Sequence, residues 1–191
     1  MQNILAIDPG NEYSAFVEMD SAYKPIRFAK LPNDKMRSVV AEAKEFGDTV
    51  VIEMIGHYGS GMPAGTTVFD TCIWIGRFTE IAGDAAYIKR KTIAAEICGT
   101  VKAKDSNVRQ ALIDRFAPGI SNYGKGTKKN PGWFYGFSAD VWQAYAVGVA
   151  YIDLMKRTEG CCGKLHELQR QVRRSKLPHD LRKVRCISSG K

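Results

Sequence analysis

The amino-acid sequence predicts a mixed α/β fold built around one sheet, and three observations carry that reading. Two short, nearly continuous apolar runs, 3–7 and 49–54, have the length and β-branched content of buried central strands. Two further short strands, 14–19 and 26–31, follow the first so closely that an antiparallel meander is expected. From residue 34 onward, segments of helical periodicity alternate with strands, the pattern of a layered α/β domain.

Each element has a local reason. The first strand, Asn3 to Ile7, is closed by the turn residues Pro9-Gly10-Asn11. Ser14 to Met19 and Ile26 to Leu31 are separated by a polar stretch containing Pro25. Asp34 to Phe46 places Met36, Val39, Val40 and Ala43 at helical spacing, with an acid near its start. After the strand Thr49 to Met54, residues 55–67 form a loop with Gly56, Gly59, Gly61, Pro63 and Gly65. A helix from about Val68 to Ala82 is expected to bury Val68, Cys72, Ile75 and Phe78, and Ala85 to Ile88 forms a short strand. Helices at Thr92 to Cys98 and Asp105 to Phe116 follow, the second turning Val108, Leu112 and Phe116 inward. Residues 117–137 carry no periodicity, and Ser138 opens a long apolar helix to about Met155.

Composition narrows the function classes. With 45% apolar and 25% charged residues, the 191-residue chain has the balance of a soluble globular protein rather than a disordered one. No run of 18 apolar residues occurs, so no spanning helix is expected. The start, Met1 to Asp8, has neither a basic lead-in nor a small-residue cleavage site. Five irregularly placed cysteines (72, 98, 161, 162 and 186) suggest free thiols in a reducing, cytosolic setting. Cys161, Cys162 and His166, with His179 and Cys186, fit no common zinc-ligand spacing. Residues 1–155 are expected to form one domain and 156–191 a basic tail. The tail holds 11 Lys and Arg against three acids, so the whole net charge of +8 lies there. A neutral body with a basic tail points to a polyanion partner, and without a lipidation motif nucleic acid is favoured over membrane.

Asp8 and Glu53 each stand at the end of an apolar strand, where a carboxylate is costly unless it is paired, hydrogen-bonded or bound to a cation. Asp8 alone also suits turn capping before Pro9-Gly10. Asp140 stands in the first turn of the last apolar helix, two residues after Ser138, where the helix dipole alone would justify it. Three such acids converging on one point would repel unless divalent cations neutralised them. Mg²⁺ takes oxygen ligands, and a pair of such ions clamps the attacking and leaving oxygens of a phosphoryl transfer.

The run Ile4-Leu5-Ala6-Ile7-Asp8-Pro9-Gly10, then Val51-Ile52-Glu53, then Asp140 to Val147, resembles a RuvC-type Holliday-junction resolvase, most nearly its divergent phage or prophage branch. The resemblance covers residues 1 to about 153 and includes a weaker middle signature, Lys102 to Arg109. It implies an RNase H-like mixed sheet, a three-strand antiparallel meander plus two parallel strands, flanked by helices. It further implies a homodimer that nicks four-way DNA junctions, leaving 5′-phosphate and 3′-hydroxyl ends. Asp8, Glu53 and Asp140 would then be the catalytic acids binding Mg²⁺, with Mn²⁺ able to substitute. Where the bacterial enzymes carry a second acid three residues on, this chain has Gln143, whose amide oxygen is a weaker, neutral ligand. Glu12 and Asp70 are alternative acids that nothing in the sequence selects.

Residues facing DNA follow from position. The loop after Glu53 adjoins the acids and contains His57, a candidate proton carrier, and Tyr58, the counterpart of an aromatic that stacks near the junction centre in the resolvases. Lys125, Lys128 and Lys129 lie among glycines and aromatics just before Asp140, which suits phosphate contact. Lys102, Lys104 and Arg109 belong to the middle signature, and Arg173 and Arg174 to the tail. Two other functions compete with the nuclease. A catalytically weak or inactive branched-DNA-binding module is supported by Gln143. An actin-like nucleotide-binding protein shares the opening strand but needs two such domains and a second Gly-rich motif.

Overall fold

The computed structural model describes residues 2–56 and 65–176, with side chains as far as Thr158. The chain divides into two units, Met1–Leu154 and Met155–Lys191. The first holds a five-stranded sheet in the order β3-β2-β1-β4-β5. β1 (Ile4–Asp8), β2 (Tyr13–Met19) and β3 (Pro25–Pro32) form the antiparallel meander, and β4 (Thr49–Met54) and β5 (Ala85–Lys89) add parallel to β1. β3 lies at the sheet edge, which is why prolines at both its ends are tolerated.

Alternation along the strands sorts the core into two layers. Leu5, Ile7, Phe16, Val50 and Ile52 face α1 (Asn33–Glu45) and α2 (Thr66–Ala82), packing on Met36, Val40, Ile75 and Phe78. Ala6, Ala15, Val17, Met19, Val51 and Ile88 face the opposite layer, made of α3 (Arg90–Cys98), α4 (Asp105–Phe116) and the start of α5 (Ala139–Lys176). α5 sits close to the sheet because Gly148 has no side chain: a Cβ there would lie 2.4 Å from Met19 Cε and 3.1 Å from Ala6 Cβ.

Several boundaries depart from the sequence reading. β1 runs one residue further and takes in Asp8, which pairs with Ala15. α3 starts at Arg90 rather than Thr92, directly after β5. In α2 Cys72 is exposed and Thr71 is buried, because the Thr71 hydroxyl donates to the Thr67 carbonyl at 2.7 Å and needs no solvent. α5 continues past Met155 to Lys176, since no proline interrupts the chain before Pro178. Among the described residues no helix is long and apolar enough to cross a membrane.

The connection between α4 and α5 is held in place by aromatics. Phe134 and Phe137 are buried, Trp133 stacks on Phe116, and Trp133 Nε1 donates to Tyr145 Oη at 2.9 Å. Tyr145 Oη in turn donates to the Tyr23 carbonyl at 2.9 Å. Gly124, at φ +76°, packs so tightly that a Cβ would lie 2.7 Å from Ala117 Cβ.

Candidate active site

The site is assembled at the C-terminal edge of the parallel strands. Ile7 pairs with Ile52, so Asp8 and Glu53 are the next residues on two neighbouring strands. Ala6 and Val51 face the α3–α5 layer, and the two-residue alternation of a strand therefore puts both carboxylates on that side. Asp140, in the first turn of α5, and Gln143, three residues on, belong to the same layer. Arg90, immediately after β5, completes the edge.

The turn that follows Asp8 is fixed by buried polar groups. A Cβ at Gly10 would meet the Tyr13 carbonyl oxygen at 2.3 Å, so the chain passes closer than any other residue allows. The Gly10 N–H donates to Ser14 Oγ at 3.3 Å, Ser14 Oγ donates to Asn33 Oδ1 at 2.6 Å, and Asn33 Nδ2 donates to the Gly10 carbonyl at 2.9 Å. Beside this turn lies an open cleft of about 230 Å³ lined by Asp8, Glu12, Tyr13, Lys30 and Asp140.

Charge in the site is crowded. Burial first, then the charge of Glu53, with smaller contributions from Asp140 and Asp105, pushes the Asp8 carboxyl up to about 7 against the pull of Arg90. Burial also raises Glu53, with Arg90 opposing. Glu53 Oε2 is buried and has no hydrogen-bond partner among the described residues. Its ion-pair partner, Arg90 Nη1, stands 3.7 Å away, beyond hydrogen-bond range. Arg90 is instead bonded to Gln143 Oε1 at 2.5 Å and paired with Asp105. Asp140 Oδ2 is held by Lys30 Nζ at 2.6 Å.

Two basic side chains thus occupy the acids. Among the described residues no three His, Cys, Asp or Glu side chains stand close enough together to hold one metal ion. The donor set nevertheless suits a hard divalent cation. Asp8 and Asp140 share an open cleft, Glu53 offers a buried oxygen without a hydrogen bond, and the charge on Asp8 is costly until a cation offsets it.

The predicted DNA-facing residues are distributed around this layer. Lys128 and Lys129 are exposed in the turn closed by the Gly126–Pro131 bridge, and Lys125 is half-buried. Lys102, Lys104 and Arg109 are exposed, with Arg109 lying over the Tyr123 ring at 5.5 Å. Glu12 lines the cleft, whereas Asp70 is an exposed residue of α2 and does not. His57 and Tyr58 lie outside the described residues, as do the side chains of Arg173 and Arg174 and the cysteine and histidine cluster of the tail. Sequence reasoning missed Lys30, Arg90 and Asp105. Arg90 had a readable signal, since it follows a parallel strand as Asp8 and Glu53 end theirs, at the edge where α/β sheets place their sites.

Comparison with known proteins supplies the fold's relatives. No protein-family model and no curated protein sequence matches the chain. Among solved structures, Thermus thermophilus RuvC superposes with a TM-score of 0.55 at 15% identity, covering 82% of this chain and 97% of that one. The fold is that of RuvC. T. thermophilus RuvC in complex with Holliday junction substrate superposes with a TM-score of 0.58 at 12% identity, covering 83% of this chain and 97% of that one. With that likeness in fold and a five-stranded sheet in the order β3-β2-β1-β4-β5, the RNase H-like architecture expected from the sequence is the one observed.

Proposed function

We propose that this protein is a metal-dependent, structure-selective endodeoxyribonuclease that resolves four-way DNA junctions by paired nicks, leaving 5′-phosphate and 3′-hydroxyl ends. The observation that carries the reading is the alignment of Asp8 and Glu53 on adjacent parallel strands, facing the helix that bears Asp140, within the RuvC fold. Asp8, Glu53 and Asp140 are the acids that would hold Mg²⁺ or Mn²⁺. A bound ion would supply Lewis-acid polarisation of the phosphodiester and lower the pKa of an attacking water.

The chain's own residues supply position and charge. The rigid Gly10–Ser14–Asn33 turn fixes Asp8 against the cleft floor. Lys30, 47% exposed and bound to a single acid in the cleft, is placed to transfer from Asp140 to a DNA phosphate as the backbone enters. Lys125, Lys128, Lys129, Lys102, Lys104 and Arg109 would hold the flanking phosphates, which position the strand without reading its bases. Tyr58, in the loop after Glu53, is the residue for stacking at the junction centre, and Arg173 and Arg174 would add affinity for any DNA. A homodimer would supply the two symmetric nicks, in the cytosol of a bacterium or a phage-infected host. The departure at Gln143 supports kinship with the divergent phage or prophage branch.

Nicking of a synthetic four-way junction, compared with duplex of the same sequence in Mg²⁺ and in EDTA, tests the proposal. Cleavage of the junction alone, in Mg²⁺ alone, is expected. A second reading, a branched-DNA-binding module with little or no catalysis, draws on Lys30 and Arg90, which pair with Asp140 and with Glu53 and Asp105 without a metal. Tight junction binding without nicking in Mg²⁺ or Mn²⁺ would favour it.

A further inference from the structure

Arg90 has an unusual set of neighbours. Its side chain is only 19% exposed, and its guanidinium reaches Gln143 on α5, Asp105 at the start of α4 and Glu53 at the end of β4. Four elements of the site therefore meet on one cation. A guanidinium presents its donors in a rigid planar fork, so it satisfies two acceptors at once and remains charged at any physiological pH. Gln143 is matched to it. The single side-chain oxygen of Gln143 already accepts from Arg90, and its amide adds no charge beside the buried Glu53.

The two cations of the site differ in how firmly they are held. Lys30 is 47% exposed and pairs with one acid in the cleft, so an incoming ion displaces it easily. Arg90 is largely buried against three partners and cannot leave without stranding Glu53. Resting on the nuclease reading above, we propose that Arg90 is a resident counter-ion and positioning residue. Fixed by Asp105 and Gln143 against Glu53, it occupies the side of the site where a second metal ion would bind and limits the carboxylates to one divalent cation per chain.

Mn²⁺ binding to the full-length protein without DNA, followed by the electron paramagnetic resonance of free Mn²⁺, tests this apart from catalysis. One Mn²⁺ per chain is expected for the unaltered protein, none for Asp8→Asn, and one for Arg90→Lys, which keeps the charge. Two are expected for Arg90→Gln combined with Gln143→Asp, because the charge that excluded the second ion is gone and an acid replaces the amide. Gln143→Asp alone should still bind one, since the new carboxylate pairs with Arg90. This single variant decides the matter if circular dichroism shows the double variant unfolded. Two ions in the unaltered protein or in Gln143→Asp, or one in a folded double variant, would overturn the role of Arg90. Absence of any Asp8-dependent ion would overturn the nuclease reading as well, whereas one Asp8-dependent ion indifferent to Arg90 overturns only the counter-ion.

Discussion

Replacing Asp8 by asparagine should make the metal-free protein more stable at neutral and alkaline pH, although it removes a site residue. The Asp8 carboxyl titrates at about 7 in the folded chain against 3.8 for the free side chain, raised first by burial and then by Glu53. A group raised in this way contributes stability that is fully present below about pH 3.8 and is lost as pH rises through about 7. At about 1.4 kcal/mol per pH unit the full displacement corresponds to about 4 kcal/mol, a ceiling that solvent at the open cleft lowers to roughly 2 kcal/mol. Asparagine keeps the shape and carries no charge. In EDTA at about pH 8 the variant should therefore melt roughly 4–8 °C above the unaltered protein, and the difference should close as pH falls toward 4. Saturating Mg²⁺ should reverse the order, since an ion held at 100 times its dissociation constant adds about 2.7 kcal/mol to the form that binds it. The assay is thermal melting by circular dichroism across pH, with and without Mg²⁺. An Asp8→Asn variant no more stable than its parent at pH 8 would refute the burial argument, and equal Mg²⁺ shifts in both would remove Asp8 from the metal site.

Further expectations concern cleavage, DNA affinity and packing. Asp8→Asn, Glu53→Gln and Asp140→Asn should each reduce Mg²⁺-dependent nicking to background while junction binding, read by gel shift, stays intact or tightens; near-normal nicking by any one excludes that residue. Deleting residues 157–191, which hold most of the net charge, should weaken binding to junction and duplex alike and flatten its salt dependence. A loss confined to junctions would make the tail a recognition element instead. Lys128→Ala with Lys129→Ala should lower the slope of log affinity against log salt by roughly 2 if both lysines contact phosphates. Tyr145→Phe removes the acceptor of Trp133 Nε1 and the donor to the Tyr23 carbonyl, and should cost about 1–3 kcal/mol in urea denaturation.

Much of this fold was legible because apolar strands leave a strong signature. The runs around Ile7 and Ile52 are bounded by turn residues, and all five strands fall where the pattern put them, to within about two residues at each end. The acids were legible for the opposite reason: Asp8 and Glu53 break an apolar pattern at a strand end, and such breaks need a physical cause. Arg90 carries a fainter signal, its place just after a parallel strand, and that signal is masked because a cation in Lys89-Arg90-Lys91 resembles any solvated surface run until the β5–α3 junction turns it inward. Lys30 alternates along an edge strand as surface lysines do, and only the start of α5 gives it Asp140. In α2 the stripe through Ile75 and Phe78 lies where the spacing puts it, and only Cys72 yields its place to Thr71, which looks polar in sequence and is self-satisfied in the helix.

The pairing of Ile7 with Ile52 has a consequence for how such a site tolerates change. A substitution at either strand end alters one side chain and leaves the others where they were. An inserted or deleted residue within β4, with the pairing to β1 kept upstream, does something different in kind: it sends Glu53 through the sheet to the α1–α2 layer, among Phe78 and Met36. The site therefore behaves like a message with a reading frame. Its letters are open to replacement one at a time, but the spacing from Thr49 to Glu53 must stay in phase with that from Ile4 to Asp8.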